Sequence, residues 1–412
     1  MKKSWVLLLT FMVAMGCNSR LNRTIGEITG LLDTLQAEYA PDTRIAVWDM
    51  ALTGSNGVIS LSGEVDNKSA YKAIVRAIDK QFPDVINTLV LLPVEGTGNM
   101  VNGLVNNSVA NIRAETSSRT ELVTQALLGT PIRILKEDNG WYLVQTPNRY
   151  LGWVNNSEVY AMDQSELDRF REAKKVIYSA QFGLSYTEPD QNSMPVSDLV
   201  IGSILSVDSV SSDFYRISYP DGRLAWVKKD EATEAKVVFN KSISREGLVK
   251  AILGFNGIPY LWGGASSKAL DCSGLTSNVF FMNGTLLPRD ADQQSLCGLE
   301  LTTTYDYTLL ETGDLLFFGR KATAEKPESV THVALYLGDT EFIHSAGYRD
   351  RVSINSMDSA RTNFIPTYPD IFIRATRISG VGEGARGIES ITENAFYREI
   401  ISDPPIIHPP IN

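Results

Sequence analysis

In a chain of 412 residues there are only three cysteines and three histidines, so the candidates for nucleophile and neutral-pH base are few. Cys272 stands in Leu270-Asp-Cys-Ser-Gly-Leu275, after Gly263-Gly264 and a turn-like Ala265-Ser-Ser, and the apolar spacing Leu275, Val279, Met282 predicts a helix from Ser273 onward. A cysteine at or just before a helix start meets unpaired N–H groups and the positive end of the helix dipole. Both favour the thiolate, the form that attacks a carbonyl. Such a nucleophile also needs a base. His408 lies in Asp403-Pro-Pro-Ile-Ile-His-Pro-Pro, which can be neither helix nor central strand and reads as a surface tail. His332, in Thr331-His-Val-Ala-Leu-Tyr-Leu337, and His344, in Glu341-Phe-Ile-His-Ser345, lie on two strand-like runs around Gly338-Asp339. A hairpin centred on Gly338 sets the two imidazoles opposite each other on one face, and a slip of one residue separates them. Other readings of the same residues stay open: a Cys272–Cys297 disulfide, a structural histidine pair, or a Cys/His/His metal site, although the spacing repeats no known ligand pattern.

The surrounding elements fall into four segments. Hydrophobic residues make up 43% and charged residues 21% of the chain, an ordinary globular composition long enough for two to four domains. Residues 24–95 read as helix (Thr24–Tyr39), strands (Arg44–Met50, Val58–Val65), helix (Lys68–Gln81) and strand (Asn87–Leu92). Residues 108–162 carry short strands with aromatic pairs, the mark of a small barrel: Arg113–Glu115, Gly129–Leu135, Trp141–Gln145 and Tyr150–Val154. A degenerate second copy spans 175–235, with Phe214-Tyr-Arg-Ile217 and Gly222-Arg-Leu-Ala-Trp226-Val227 in the corresponding places. Trp153 and Trp226 read as barrel core. Helical Gln164–Lys175 links the copies, residues 242–380 hold the chemistry, and 381–412 form a C-terminal tail.

Five motifs in order carry a family resemblance: Tyr260-Leu-Trp-Gly-Gly264, Asp271-Cys-Ser-Gly-Leu275, Pro288-Arg-Asp-Ala-Asp-Gln293, Gly313-Asp-Leu-Leu-Phe-Phe318 and His332-Val-Ala-Leu-Tyr-Leu-Gly338. Together they resemble the NlpC/P60 cysteine peptidases. The resemblance implies a papain-like α+β catalytic domain with Cys272 as nucleophile, His332 as general base, His344 orienting it, Tyr260 beside the oxyanion, and no metal or cofactor. Residues 108–162 and 175–235 resemble bacterial SH3 domains, and 24–95, with Leu61-Ser-Gly-Glu-Val65, resembles a BON module. The expected fold is therefore multidomain, a small α/β module and two SH3-like β-barrels ahead of the catalytic domain. Paired SH3 domains in that place look like the γ-D-glutamyl-L-diamino acid endopeptidases that trim murein peptides. That likeness implies a first SH3 domain closing one end of the cleft. Glu121, in Ser118-Arg-Thr-Glu-Leu-Val-Thr-Gln125, and Tyr150, in Arg149-Tyr-Leu-Gly-Trp153, would hold a free N-terminal amine, with Asp271 and Ser273 completing the contacts. A buried ammonium needs a carboxylate, and a blocked end rejects longer chains. Ala291 stands where relatives can have serine, which leaves only backbone there for the substrate. An amidase or acyltransferase acting on another acyl group, and a non-catalytic wall-binding protein, are the competing functions.

The amino terminus reads as a processing signal: Lys2 and Lys3, an apolar run Trp5–Val13, then Ala14-Met-Gly-Cys17. It resembles a bacterial lipoprotein signal, which implies cleavage before Cys17 and a lipid anchor on its sulfur, although Ala14 stands where that pattern more often has Leu. One acyl chain anchors only marginally, so acylation of the new terminus is also implied. The expected location is the cell envelope, facing the periplasm. A formal charge of −10 gives no attraction to nucleic acid.

Overall fold

The computed structural model describes residues 19–55, 57–94, 100–380 and 387–401. The signal with Cys17, and His408, lie outside them. The chain divides into two units, residues 1–99 and 100–412.

The first unit has the element order read from its periodicity. Helix Lys68–Gln81 begins where Asn67 accepts from the N–H groups of Ser69 and Ala70, at 2.8 and 3.1 Å, an N-cap that satisfies two orphan donors. A longer helix, Ser19–Tyr39, precedes the sheet. Val58–Val65 is the central strand, antiparallel to Trp48–Ser55 and parallel to Ile86–Leu91. Ile59, Leu61 and Val65 alternate inward to meet Ile28, Ile74 and Ile78. The first strand starts later than expected from the apolar pattern. Asp42 instead holds Arg44 by its backbone N–H and guanidinium, making Asp42–Arg44 a turn.

The second unit opens with two seven-stranded antiparallel sheets. In the first the order is Val159–Met162, Asn102–Val105, Pro131–Asp138, Trp141–Gln145, Leu151–Asn155, Val109–Arg113, Leu122–Leu127. The second repeats it element for element: Ala232–Glu234, Lys175–Tyr178, Ile204–Val210, Phe214–Ser218, Leu224–Lys228, Phe182–Tyr186, Pro195–Val200. The lone pair Arg113–Trp153 that ties the first sheet's halves has its counterpart in Tyr186–Trp226. Neither tryptophan is a core residue, contrary to expectation. Both are partly exposed. The first barrel core is aliphatic, with Ile112, Ile134, Val144 and Val154, and the second adds buried Tyr178 and Tyr219 to Val176, Leu205, Ile217 and Val227.

Among the described residues the largest remaining sheet has six antiparallel strands in the order Leu299–Thr302, Phe372–Arg377, Leu315–Arg320, Ser329–Gly338, Glu341–Ala346, Arg351–Ser356. Alternation along Leu315–Phe318 and Val333–Tyr336 divides the side chains between two cores. Leu315, Phe317, Val333 and Leu335 pack under helices Arg245–Leu253 and Cys272–Phe281, whereas Leu316, Phe318, Ala334 and Tyr336 pack against Met357, Ile365 and Tyr368. On the helix side Leu275, Val279 and Phe280 are fully buried, each worth about 1.5–3 kcal/mol.

The expected tail at 381–412 is corrected for its described part. Ile391, Tyr397 and Ile400 join the helix-side core, Tyr397 packs against Phe239 and Phe281, and Glu389–Ser390 pairs with Thr285–Leu286. These apolar residues are too irregularly spaced to have a readable period.

Candidate active site

Cys272 is the first residue of helix Cys272–Phe281, and Asp271 is its N-cap, accepting from Gly274 N–H at 2.7 Å. Gly274 is required there, because a Cβ would lie 2.2 Å from the Gly264 carbonyl oxygen. The Ser345 hydroxyl donates to Leu270 O at 2.7 Å and ties the loop before Cys272 to the sheet. The backbone N–H groups of Ser273 and Val333 point their positive ends toward the sulfur and favour its anion. Val333 has its N–H free for this because the strand Ser329–Gly338 pairs with Glu341–Ala346 only from Gly338 back to Leu335, after which the two splay.

These donors do not yield a resting thiolate. Burial first, and the Asp271 carboxylate second, push the Cys272 thiol up to about 12, against the pull of the backbone donors and Arg289. Desolvation of the charged sulfur thus opposes what the helix start favours. Burial, with His344 adding to it, holds His332 well below the usual histidine value, and burial holds His344 down at about 4. The resting pair is therefore neutral thiol and neutral imidazole. Tyr260 is pushed up to about 12, by burial and then by Cys272, and stays a phenol able to donate.

His332 and His344 come together, with Nε2 of the first 2.7 Å from Nδ1 of the second. The register differs from a hairpin centred on Gly338. Asp339 and Thr340 both have positive φ, 50° and 69°, and form the two-residue turn, with an irregularity between Tyr336 and Gly338. Leu335 faces Ile343, so the histidines meet diagonally. A shift of two residues preserves the face, whereas a shift of one would not. Two residues that sequence reasoning missed complete the pair: the Tyr368 hydroxyl lies 3.1 Å from His344 Nδ1, and Asn355 Oδ1 lies 3.0 Å from His344 Nε2. Tyr368 shares the face of the sheet on which both histidines lie, with Phe318 and Phe342, and no local spacing announces it.

Asp271 and Ser273 are held differently from the expected substrate contacts. Arg289 grips Asp271 at 2.7 and 3.1 Å and Ser273 Oγ at 2.9 Å, while Gly263 N–H donates to the second Asp271 oxygen at 3.0 Å. All of these side chains are at least nine-tenths buried, and both carboxylate oxygens are occupied, so Asp271 organises the loop. Arg289 stood in the Pro-Arg-Asp motif, but its partner could not be read there.

The first seven-stranded sheet reaches this cluster. Arg289 Nε donates to Thr124 Oγ1 at 2.8 Å, Ala265 N–H to Gln125 Oε1 at 2.9 Å, and the Tyr150 hydroxyl to Asp290 Oδ2 at 3.0 Å. Glu121 is solvent-exposed and accepts from Trp262 Nε1 at 2.8 Å. Gly263, with φ +75°, lies so near Leu122 O that a Cβ would approach to 2.1 Å. Thus Tyr150 and Asp290 lie near Arg289, while Glu121 is tied to Trp262, next to Gly263; Asp290 and Trp262 had not been singled out. Cys272 and Cys297 are free thiols. Among the described residues no three His, Cys, Asp or Glu side chains form a group able to hold a metal ion.

Comparison with known proteins agrees with this geometry. Residues 257–364 match the NlpC/P60 family and residues 108–160 the bacterial SH3 domain. Dipeptidyl-peptidase 6 of Lysinibacillus sphaericus is 31% identical over 290 residues, 68% of this chain and 99% of that protein. A gamma-D-glutamyl-L-lysine dipeptidyl-peptidase of Bacillus cereus is 31% identical over 240 residues, 56% of this chain and 68% of that one. A solved NlpC/P60 family structure from Bacillus cereus shares the fold, with a TM-score of 0.57 at 24% identity, over 67% of this chain and 99% of the other. A buried cysteine at a helix start, a histidine pair on the adjoining sheet and a bacterial SH3 domain against the same loop thus coincide with the matched segments: the chain belongs to the NlpC/P60 family and is a cysteine peptidase.

Proposed function

We propose that the chain cleaves the bond between γ-D-glutamate and a diamino acid in murein peptides that begin with a free L-alanine. Cys272 attacks the carbonyl as its proton passes to His332, forming the S–C bond. His332 then delivers that proton to the leaving amine, and water releases the acyl-enzyme. The Ser273 N–H and Tyr260 stabilise the oxyanion, and His344 orients His332. The mechanism draws on no cofactor.

The observation that carries the substrate reading is the two carboxylates held where the first sheet meets the catalytic loops, one from each side. Glu121, with Trp262 as its donor, and Asp290, with Tyr150 as its donor, supply carboxylates for an ammonium, while Asp271 is spent on Arg289. We assign the amine to Glu121, Tyr150 and Asp290, with Asp271 and Ser273 holding them in place. The matching strand order supports reading 175–235 as a second SH3 domain, and the αββαβ order supports a BON-like module at the amino terminus. From the sequence alone we infer a lipid anchor on Cys17 and an envelope location facing the periplasm. Loss of labelled palmitate incorporation in Cys17→Ser tests the anchor.

The activity test is incubation of L-Ala-γ-D-Glu-diaminopimelate and its N-acetylated form with wild type and Cys272→Ala, with products read by mass spectrometry. Cleavage of only the free-amine peptide, and only by wild type, is expected. No cleavage of either by wild type overturns the peptide reading in favour of another acyl substrate or a wall-binding role.

A further inference from the structure

Beyond the two histidines the hydrogen-bonded row continues to Asn355, which is buried at 3% exposure. The strand Arg351–Ser356 sets it there: Ser353 pairs with His344, so Asn355 lies two residues along on the same face. Its amide has one orientation. Nδ2 donates to the Asn363 carbonyl at 3.2 Å, and turning the amide over would set oxygen against that oxygen. Oδ1 therefore faces Ser353 Oγ at 3.0 Å, the Tyr348 hydroxyl at 3.4 Å and His344 Nε2 at 3.0 Å. Asn363 is itself fixed, since its Nδ2 donates to Glu341 Oε1 at 2.9 Å and its carbonyl also accepts from Ser356 N–H.

A carbonyl oxygen only accepts, so His344 carries its hydrogen on Nε2. A neutral imidazole then has a bare Nδ1, which takes the Tyr368 hydroxyl and, at 2.7 Å, the Nε2–H of His332. That leaves the bare nitrogen of His332 at Nδ1. In the opposite tautomer His344 Nδ1–H would donate to His332 Nε2, and His332, with its hydrogen on Nδ1, would have no lone pair left free to receive a proton.

We propose that Asn355 is a positioning residue: by accepting from His344 Nε2–H it selects, through His344, the tautomer of His332 whose Nδ1 takes the Cys272 proton. This rests on the reading of Cys272 and His332 as nucleophile and base. The catalytic proton moves only between sulfur, His332 Nδ1 and the leaving amine; none travels down the row.

The test is nitrogen NMR of histidine-labelled protein, where three histidines make assignment tractable, with peptide kinetics beside it. In wild type, both His332 and His344 are expected as Nε2–H tautomers; His344 found as Nδ1–H overturns the proposal without any variant. Asn355→Leu and Asn355→Asp both lose the donor to Asn363, so their difference isolates the acceptor facing His344. Asn355→Leu is expected to move the histidines toward Nδ1–H and to lower kcat about 100-fold at similar KM. Asn355→Asp keeps the Nε2–H pattern and stays within about tenfold of wild type. Equal loss in both variants with unmoved tautomers, or wild-type kcat in Asn355→Leu, contradicts it. The NMR result is independent of substrate, so failure to cleave the peptide stays separate from failure of the tautomer argument.

Discussion

The two seven-stranded sheets have the same strand order and different relations to the catalytic domain. At equivalent positions on the strands Leu122–Leu127 and Pro195–Val200, Gln125 and Asp198 both hold the loop before Cys272. Gln125 takes Ala265 N–H and the Ser266 hydroxyl, and Asp198 pairs with Lys268 at 2.7 Å. Beyond that shared grip they diverge. The first sheet adds Glu121 on Trp262, Thr124 on Arg289 and Tyr150 on Asp290. In the second sheet the matching turn before Pro195 projects into solvent, and Arg223, in the place of Tyr150, pairs locally with Asp221 at 2.7 Å. On the function proposed above, the repeated strand order supplies support twice and recognition once. The difference lies in a few loop side chains on an unchanged scaffold.

The largest effect that would break this comparison is at Arg289. Arg289→Leu strands the Asp271 carboxylate in a buried site and removes the first sheet's link through Thr124. It should cost about 3–5 kcal/mol in urea unfolding, with loss of peptidase activity. Unaltered stability would mean that the pair is not what couples sheet and loop.

The histidine pair, touched by neither sheet, supplies an internal control. His344 falls from 6.5 to about 4 on burial, so it is neutral in the fold and protonates more readily unfolded. Its stabilisation is complete above pH 6.5 and is lost as pH falls toward 4, on the order of 3 kcal/mol. Urea unfolding at pH 7 and pH 4 should show that loss in wild type and a smaller one in His344→Gln. Variants of either sheet should leave it unchanged. In the same way, low protonation of His332 keeps its base form available below pH 6.5, so the acid limb of kcat/KM should lie below that value.

Asp198→Ala should have the smallest effect. Both partners of its pair with Lys268 are about half exposed, so the loss should be under about 1 kcal/mol, with the preference for free-amine peptide unaltered. A collapse of that preference would give the second sheet a recognition role.

Sequence reading worked where the controlling interaction was local. The spacing Leu275, Val279, Met282 set the helix start within one residue of Cys272, and the helix Lys68–Gln81 has the bounds its period predicts. The face shared by His332 and His344 was also legible, because alternation tolerates a register shift of two. What was not legible came from residues distant in the chain. The carboxylate of Asp271 looked available until Arg289 claimed it, Tyr368 reaches His344 from 24 residues along the chain, and burial works against the helix position at the thiol. Two short strands, Asn102–Val105 and Val159–Met162, carry too few residues to show a period. Trp153 and Trp226 looked like core by residue type, yet aliphatic residues fill the first barrel and, with Tyr178 and Tyr219, the second.

The most direct test of divided labour between the sheets is the ratio of kcat/KM for free-amine over N-acetylated peptide, measured for Glu121→Gln beside Asp198→Asn. The ratio should fall at least about tenfold in Glu121→Gln, in line with loss of one charge-assisted contact, and hold at the wild-type value in Asp198→Asn. An unchanged ratio in Glu121→Gln, or an equal fall in both, would contradict the assignment of recognition to the first sheet.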